Sequence, residues 1–319
     1  LRLVTDDAAP GALQRVAFLG PEGTFTEQAL LSQPDLAAQD LVPMGTFAEV
    51  LAAVDQGEVD LGFVAVENSI EGTVNVTIDA LALEHDLLIQ REVVLGIQLC
   101  LMAPAGVSMA DIRRVHTFPV AAGQCRQWMV RELPGVEVVA AHSNAEAARL
   151  VRDEHDGHSA AVAPVLAAKI YDLEVLAEDI EDHPENSTRF VLVGRGPVPP
   201  PSGHDKTTVV VFQRTDKAGS LLAILQEFAA RAINLVKLES RPTKKALGDY
   251  CFIIDLEGHL ADEIVADCLR DIRSKVADIK FLGSYPAAGE HGPTRRRDAE
   301  EAWRQADDWL RTQRAKLTD

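Results

Sequence analysis

The sequence predicts an α/β part followed by a smaller α+β part, and three observations carry that prediction. Short apolar runs alternate with helical patterns as far as Gly194. The stretch 194–205, GRGPVPPPSGHD, then places four prolines and three glycines among twelve residues. Beyond it, strand and helix patterns follow in the order βαββαβ. A chain of 319 residues is long enough for two such domains.

The elements of the first part follow from periodicity. Residues 16–19 read as a buried strand. Phe47, Val50, Leu51 and Val54 fall at the spacing of one helical face, and Thr46 with Glu49 forms a capping box at its start. Residues 61–66 read as a second strand, and Ser143 with Glu146 opens a helix that runs to about His155. Residues 160–165 and 190–194 read as further strands. Strands alternating with helices predict a largely parallel sheet, with ligands at the carboxyl ends of its strands.

The Pro/Gly stretch can hold neither a helix nor a central strand, so it reads as a linker. After it come a strand at 207–212, a helix marked by Leu221, Ile224, Leu225 and Phe228, and strands at 235–240 and 249–256. A helix marked by Val265, Leu269, Ile272 and Val276 and a strand at 279–285 complete the set. That order is the ferredoxin-like arrangement, which by itself implies no function. Past Ala287 the chain turns polar and helix-prone, with Trp303, Ala306, Leu310 and Leu317 on one stripe suited to docking on the domain or on a partner chain.

Composition narrows the function. A formal charge of −18 argues against nucleic acid, which needs a basic face, and against anionic lipid. The run Arg295-Arg296-Arg297 is interrupted at once by acidic residues. No stretch approaches the ~20 apolar residues of a membrane span. Residues 1–10 lack the apolar core of a secretory signal, so the expected location is cytoplasmic. Cys100, Cys125, Cys251 and Cys268 form no paired metal spacing and read as reduced, buried thiols, so no metal is expected. No phosphate loop and no dinucleotide fingerprint occurs.

Four segments hold chemistry-bearing residues. Phe18-Leu19-Gly20-Pro21-Glu22-Gly23-Thr24-Phe25-Thr26 leads a strand through a turn into hydroxyls before a helix; Thr24 there suits either an anion site or a plain capped turn. In Val66-Glu67-Asn68-Ser69-Ile70-Glu71-Gly72-Thr73, Asn68 and Ser69 stand at a strand end, able to orient a substrate hydroxyl or carboxylate or to cap the next helix. His116-Thr117-Phe118-Pro119 leads to Gln124-Cys125, with Thr117 and Gln124 as uncharged donors that equally suit a polar loop and a helix cap. In Glu185-Asn186-Ser187-Thr188-Arg189-Phe190, the Arg189 fork suits a carboxylate, or a surface position at a strand start.

Together these segments resemble the prephenate dehydratases: GPEGTFTEQA at 20–29, VENSIEGTVN at 66–75, the stretch from His116 to Gln124, and STRF at 187–190. The C-terminal part resembles the ACT regulatory domain attached to them, through GSLL at 219–222 and Glu239-Ser240-Arg241-Pro242. The resemblance spans about residues 14 to 285 in the family's order and spacing.

The resemblance implies a cofactor-free lyase that converts prephenate to phenylpyruvate with release of carbon dioxide and water. It implies two α/β lobes around a cleft, like a periplasmic binding protein, formed by 14–93 with 178–194 and by 94–177 within a catalytic domain 14–194. A linker 195–206, an ACT domain 207–285 and a polar tail 286–319 would follow. Thr188 would donate to the departing oxygen, an effect commonly worth ~3–4 kcal/mol per donor. Arg189 would hold a carboxylate and Phe190 would wall the pocket against water. Asn68, Ser69, Thr73, Thr117 and Gln124 would complete the donor set; the family often shows Ser where Thr117 stands.

For the C-terminal part, the resemblance implies side-by-side pairing of two ACT domains and a homo-oligomer, dimer or tetramer. Phenylalanine would bind as feedback inhibitor near Asp216, Gly219, Ser220, Leu221, Asn234, Leu235, Glu239, Ser240, Arg241 and Pro242. Two other readings remain at this point: an arogenate dehydratase, and a non-catalytic amino-acid sensor. An intact Thr188-Arg189-Phe190 argues against the sensor, which needs no leaving-group donor.

Overall fold

The computed structural model describes residues 13–154, 156–213, 218–246, 248–289 and 294–316. In chain order the first elements are β1 (Arg15–Leu19), α1 (Phe25–Leu31), α2 (Pro34–Ala37), β2 (Asp40–Met44), α3 (Phe47–Gln56), β3 (Leu61–Asn68), β4 (Gly72–Thr73), α4 (Asn75–Leu83) and β5 (Leu88–Gly96). Next come β6 (Cys100–Ala103), β7 (Arg114–Thr117), α5 (Pro119–Gln124), α6 (Arg126–Glu132), β8 (Glu137–Ala140), α7 (Asn144–Glu154), β9 (Ser159–Ala163), α8 (Val165–Ile170), β10 (Glu174–Ala177) and β11 (Ser187–Gly194). The remainder comprises β12 (Asp205–Gln213), α9 (Ser220–Ala229), β13 (Leu235–Pro242), β14 (Tyr250–Glu257), α10 (Glu263–Asp271), β15 (Ala277–Pro286) and α11 (Thr294–Arg314).

The chain divides into two compact units. One takes its described residues from 13–78 and 93–192, the other from 79–92 and from 193 onward. The boundary falls within α4, β5 and β11.

The first unit is built on two sheets. One has the order β2-β1-β3-β11-β5 with β4 added on β3, the other the order β10-β6-β9-β7-β8. The parallel pairing expected from βα alternation holds for β1 with β2 and β3, and for β7 with β8 and β9. The second sheet is nevertheless mixed, because β6 lies antiparallel to both β9 and β10. One face of β9 carries the small residues Ala161 and Ala163, which pack with Ala145, Ala148 and Ala167 of the flanking helices.

Several boundaries differ from the sequence reading. The strand expected to reach residue 165 stops at Ala163; Pro164 fixes an extended φ of −66° and starts α8, so Val165 is helical. The strand expected from 190 begins at Ser187, so Thr188 and Arg189 lie within it. Both capping boxes form with a shifted return bond. Thr46 and Ser143 accept from the N–H of Glu49 and Glu146, but those carboxylates take the N–H of Gly45 and His142, one residue before each cap. His155 lies outside the described residues.

In the second unit, β13-β14-β12-β15 form one antiparallel sheet. Val209, Val211, Ile254 and Leu256 pack on Ile224 and Phe228 of α9 and on Val265 and Leu269 of α10. The βαββαβ order is the expected one. β12 starts at Asp205, inside the expected linker. The Asp205 carboxylate accepts from Ser202 and Gly203, and its carbonyl accepts from Gly258.

Residues 79–92 belong with this unit for reasons visible in their contacts. Lys206 Nζ donates to the buried Glu92 carboxylate at 2.8 and 3.0 Å, so a buried charge has its partner. Lys280 Nζ donates to the carbonyls of Leu81 and His85 at 2.9 and 2.6 Å. Gly283 lies against Ile89, where an added Cβ would stand 2.6 Å from the Ile89 carbonyl oxygen, so only glycine fits. In α11, Ala306 and Leu310 are exposed, so the apolar stripe expected there is not buried; Leu317 and the Trp303 side chain lie outside the described residues. Among the described residues, no helix is long and apolar enough to cross a membrane.

Candidate active site

The carboxyl end of β3 meets the start of β11. Ser69 N–H donates to the Ser187 carbonyl at 2.9 Å, and Ser187 N–H donates to Ser69 Oγ at 2.9 Å. This reciprocal pair carries strand pairing one step past β3 and fixes the register of Thr188 against Asn68. Thr73, on β4, stands opposite Glu67 of β3.

Asn68 is oriented by its surroundings. Its Oδ1 accepts from the N–H groups of Ile70 and Glu71 at 2.9 and 3.0 Å, an Asx turn. Its Nδ2 therefore faces the other way and donates to Thr188 Oγ1 at 2.9 Å, to Asn186 Oδ1 at 2.9 Å and to the Ser187 carbonyl at 3.2 Å. A threonine oxygen that accepts from an amide keeps its own proton for another acceptor.

Gln124 closes α5 and is 9% exposed. Its Oε1 accepts from Asn186 Nδ2 at 3.3 Å and its Nε2 approaches Glu71 Oε1 at 3.5 Å. Asn68, Ser69, Gln124 and Thr188 thus share one hydrogen-bonded network. Two other residues expected beside them hold separate local positions. Thr117 ends β7, is fully buried and donates to the Phe118 carbonyl at 3.3 Å. Thr24 is the N-cap of α1, donating to the Leu19 carbonyl at 3.0 Å and accepting from Glu27 N–H at 3.2 Å. The Glu27 carboxylate takes Gly23 N–H at 2.5 Å, so the chain fills its own helix start; burial raises the carboxyl's pKa against that bond.

Arg189 pairs with Glu67 at 3.6 Å, its side chain 14% exposed. Phe190 is 1% exposed and stacks on Phe63, ring centroids 5.3 Å apart. Cys125, beside Gln124, is fully buried, and burial with nearby Glu181 and Asp182 pushes its thiol far above the ordinary range. Such a thiol packs rather than attacks. Among the described residues, no cluster of His, Cys, Asp and Glu has the arrangement of a metal site.

A family model described as prephenate dehydratase matches residues 16–198. A protein of Mycobacterium leprae named prephenate dehydratase is 43% identical over 293 residues, covering 89% of this chain and 90% of that protein. The chain belongs to the prephenate dehydratase family. A model of the ACT domain matches residues 207–274. A crystal structure of prephenate dehydratase from Arthrobacter aurescens in complex with L-Phe is 40% identical, with a TM-score of 0.86, covering 93% of this chain and 98% of that one. The likeness also extends, at 31% identity and a TM-score of 0.76, to GqqA, described as a novel type of quorum quenching acylase, over 86% of this chain and 98% of that one. A shared fold does not by itself carry an activity from one to the other.

The ACT part of this prephenate dehydratase family chain shows where the expected effector residues stand. Gly219 caps α9 with φ of +87°, a conformation that favours glycine, and Ser220 and Leu221 begin the helix. The Asn234 carbonyl accepts from Glu257 N–H, and Leu235 begins β13. Glu239 and Ser240 lead to Arg241, whose Nε and Nη2 both reach Asp79 Oδ1 at 2.9 Å; Pro242 ends the strand. Asp216 lies outside the described residues.

Asn186 is the network member that sequence reading missed. It stands two residues before Thr188, a spacing that puts both on one face of an extended segment, and that spacing is the available signal.

Proposed function

We propose that this chain converts prephenate to phenylpyruvate and that phenylalanine, bound at its ACT domain, inhibits the reaction. The family membership supports the reaction, and the complex of the Arthrobacter aurescens protein with L-Phe supports the effector. The observation that carries the mechanism is the oriented contact between Asn68 and Thr188.

The substrate is a ring carrying one carboxylate and one hydroxyl on opposite carbons, with a second carboxylate on its side chain. When the ring carboxylate leaves as carbon dioxide, the electron pair of that bond enters the ring. The ring then expels the hydroxyl oxygen with its bonding pair and becomes aromatic. The departing oxygen gathers negative charge and leaves as water after taking a proton. Thr188, with its oxygen engaged by Asn68, directs its O–H at that oxygen and stabilises the charge as it develops. A threonine hydroxyl is too weak an acid to give up its proton early, so its role is electrostatic. Arg189 holds a carboxylate, and Ser69, Thr73 and Gln124 complete the polar lining. Phe190, stacked on Phe63, gives the strand beneath Thr188 an apolar base.

In this reading 14–194 is the catalytic domain, with lobes 14–93 plus 178–194 and 94–177, followed by a linker, an ACT domain to residue 285 and a polar tail. The protein acts in the cytoplasm and assembles as a dimer or tetramer. β13 is an edge strand with Val236 and Leu238 exposed, which suits a second copy. Turnover is tested by the absorbance of phenylpyruvate formed from prephenate, with and without phenylalanine, and assembly by light scattering. Phenylpyruvate formation that phenylalanine suppresses supports the proposal. A pure chain inactive on prephenate overturns it.

A further inference from the structure

We propose that Asn186 is a positioning residue: its side-chain amide passes the direction set at Asn68 on to Gln124, so that Gln124 faces the substrate as a donor. The inference rests on the prephenate reading above and adds a residue to it.

Asn186 is 1% exposed, and its backbone is held at both ends. Its N–H donates to the His183 carbonyl at 3.1 Å and its carbonyl accepts from Ile97 N–H at 2.8 Å. The side chain therefore has little freedom except to turn its amide over. The direction of that amide is decided by Asn68, whose Oδ1 is committed to two backbone N–H groups. Asn68 thus offers only N–H toward Asn186, and Asn186 Oδ1 accepts it at 2.9 Å, with Ser69 Oγ also at 3.5 Å. Asn186 Nδ2 then faces Gln124 and donates to Oε1 at 3.3 Å. With its oxygen engaged, Gln124 turns its NH₂ outward, where Glu71 Oε1 stands at 3.5 Å.

Direction matters because the substrate brings two carboxylates. A Gln124 turned over would present an oxygen to them, an acceptor facing an acceptor. The order Asn68, Asn186, Gln124 excludes that arrangement, and each amide is fixed by the one before it. Asn186 also joins the end of a strand to the end of a helix, since Asn68 ends β3 and Gln124 ends α5.

The test is a cycle of variants. Asn186→Asp keeps shape and still accepts from Asn68, but a carboxylate cannot donate to Gln124 Oε1. Asn186→Ala removes both side-chain bonds, keeps the backbone ones, and serves if the buried carboxylate prevents folding. Each is made alone and with Gln124→Ala, and kcat and KM for prephenate are measured alongside the melting temperature. The expected result is a loss of about 100-fold in kcat/KM for either single variant, and of less than about threefold when Gln124 is already alanine, because the effect acts through Gln124. Equal losses in both backgrounds would assign Asn186 a merely structural role and overturn the inference. So would variants within about threefold of the unaltered enzyme. An unaltered chain inactive on prephenate overturns the functional reading itself, and the role of Asn186 in that reaction with it.

Discussion

Asn68 Nδ2 donates to Thr188 Oγ1 at 2.9 Å, and not the reverse, because the Asn68 oxygen is already taken by the N–H groups of Ile70 and Glu71. The direction of this bond leads to two expectations. Thr188→Ala removes the donor and lowers kcat by about 10²–10³, the range for one lost donor of this kind. Asn68→Asp leaves the hydroxyl in place but reverses the bond, since the new carboxylate accepts the threonine proton. Its kcat should fall about as far as that of Thr188→Ala. Steady-state phenylpyruvate formation measures both. A nearly full rate for Asn68→Asp would show that the hydroxyl's direction is not what counts.

Arg189 carries a different part of the binding. Its guanidinium stands 3.6 Å from Glu67 and is mostly shielded from water. A planar fork can serve two carboxylate partners at once, which a single ammonium cannot. Arg189→Lys should therefore raise KM for prephenate about tenfold or more while kcat changes less, the signature of a contact made equally in ground and transition states. A fall in kcat at unchanged KM would instead place Arg189 in the chemistry of the departing group.

The C-terminal fold was legible because each of its elements has a clean signal. Leu221, Ile224 and Phe228 repeat at helical spacing, and the strands alternate with turns. In the first part, 187–189 were not read as strand. A Ser-Thr-Arg run has no apolar alternation, and what makes it a strand is pairing to Ser69, more than a hundred residues away in sequence. The candidate site divides in the same way. Thr188 and Asn68 are conspicuous as hydroxyl and amide at strand ends, whereas the direction of each amide depends on backbone N–H groups that no residue type announces. Thr24 illustrates the converse: the hydroxyl at a helix start that suits an anion is engaged by Leu19 and Glu27 of its own turn.

Arg241 is the residue of the Glu-Ser-Arg-Pro segment whose structural partner is plainest. Both its Nε and its Nη2 reach Asp79 Oδ1, while Lys244 Nζ stands 3.2 Å from Asp79 Oδ2. The two paired side chains are 18% and 13% exposed, so neither charge is well hydrated. Asp79→Asn leaves the guanidinium without its nearest counter-charge and should lower stability by about 1–3 kcal/mol, less than for a fully buried pair. Adding Arg241→Met should recover part of that loss, since no unpaired charge then remains. Urea denaturation of Asp79→Asn, Arg241→Met and the double variant measures the coupling, and strictly additive losses would mean that the pair contributes nothing as a pair.

A second ion pair predicts how stability responds to acid. The Asp156 carboxylate is gripped by the Arg114 guanidinium and accepts from His158 N–H, Ser159 N–H and Ser159 Oγ, each at 2.9 Å. Partial burial works to raise its pKa, but the bonds from His158, Arg114 and Ser159 outweigh that and hold it well below the usual carboxylate range. In the unfolded chain the group returns to about 3.9. Above about pH 5 both states are ionised and the stabilisation is complete. Below that, the unfolded chain takes up the proton first, and the contribution is lost progressively as pH falls toward the folded value. Asp156→Asn should therefore cost about 1–3 kcal/mol at neutral pH, the range for hydrogen bonds to a charged group. The gap between the variant and the unaltered chain should narrow steadily below about pH 5. Urea midpoints compared at neutral pH and near pH 3 decide it. Equal midpoints at neutral pH, or a gap that widens on acidification, would mean that the carboxylate is not held by these bonds.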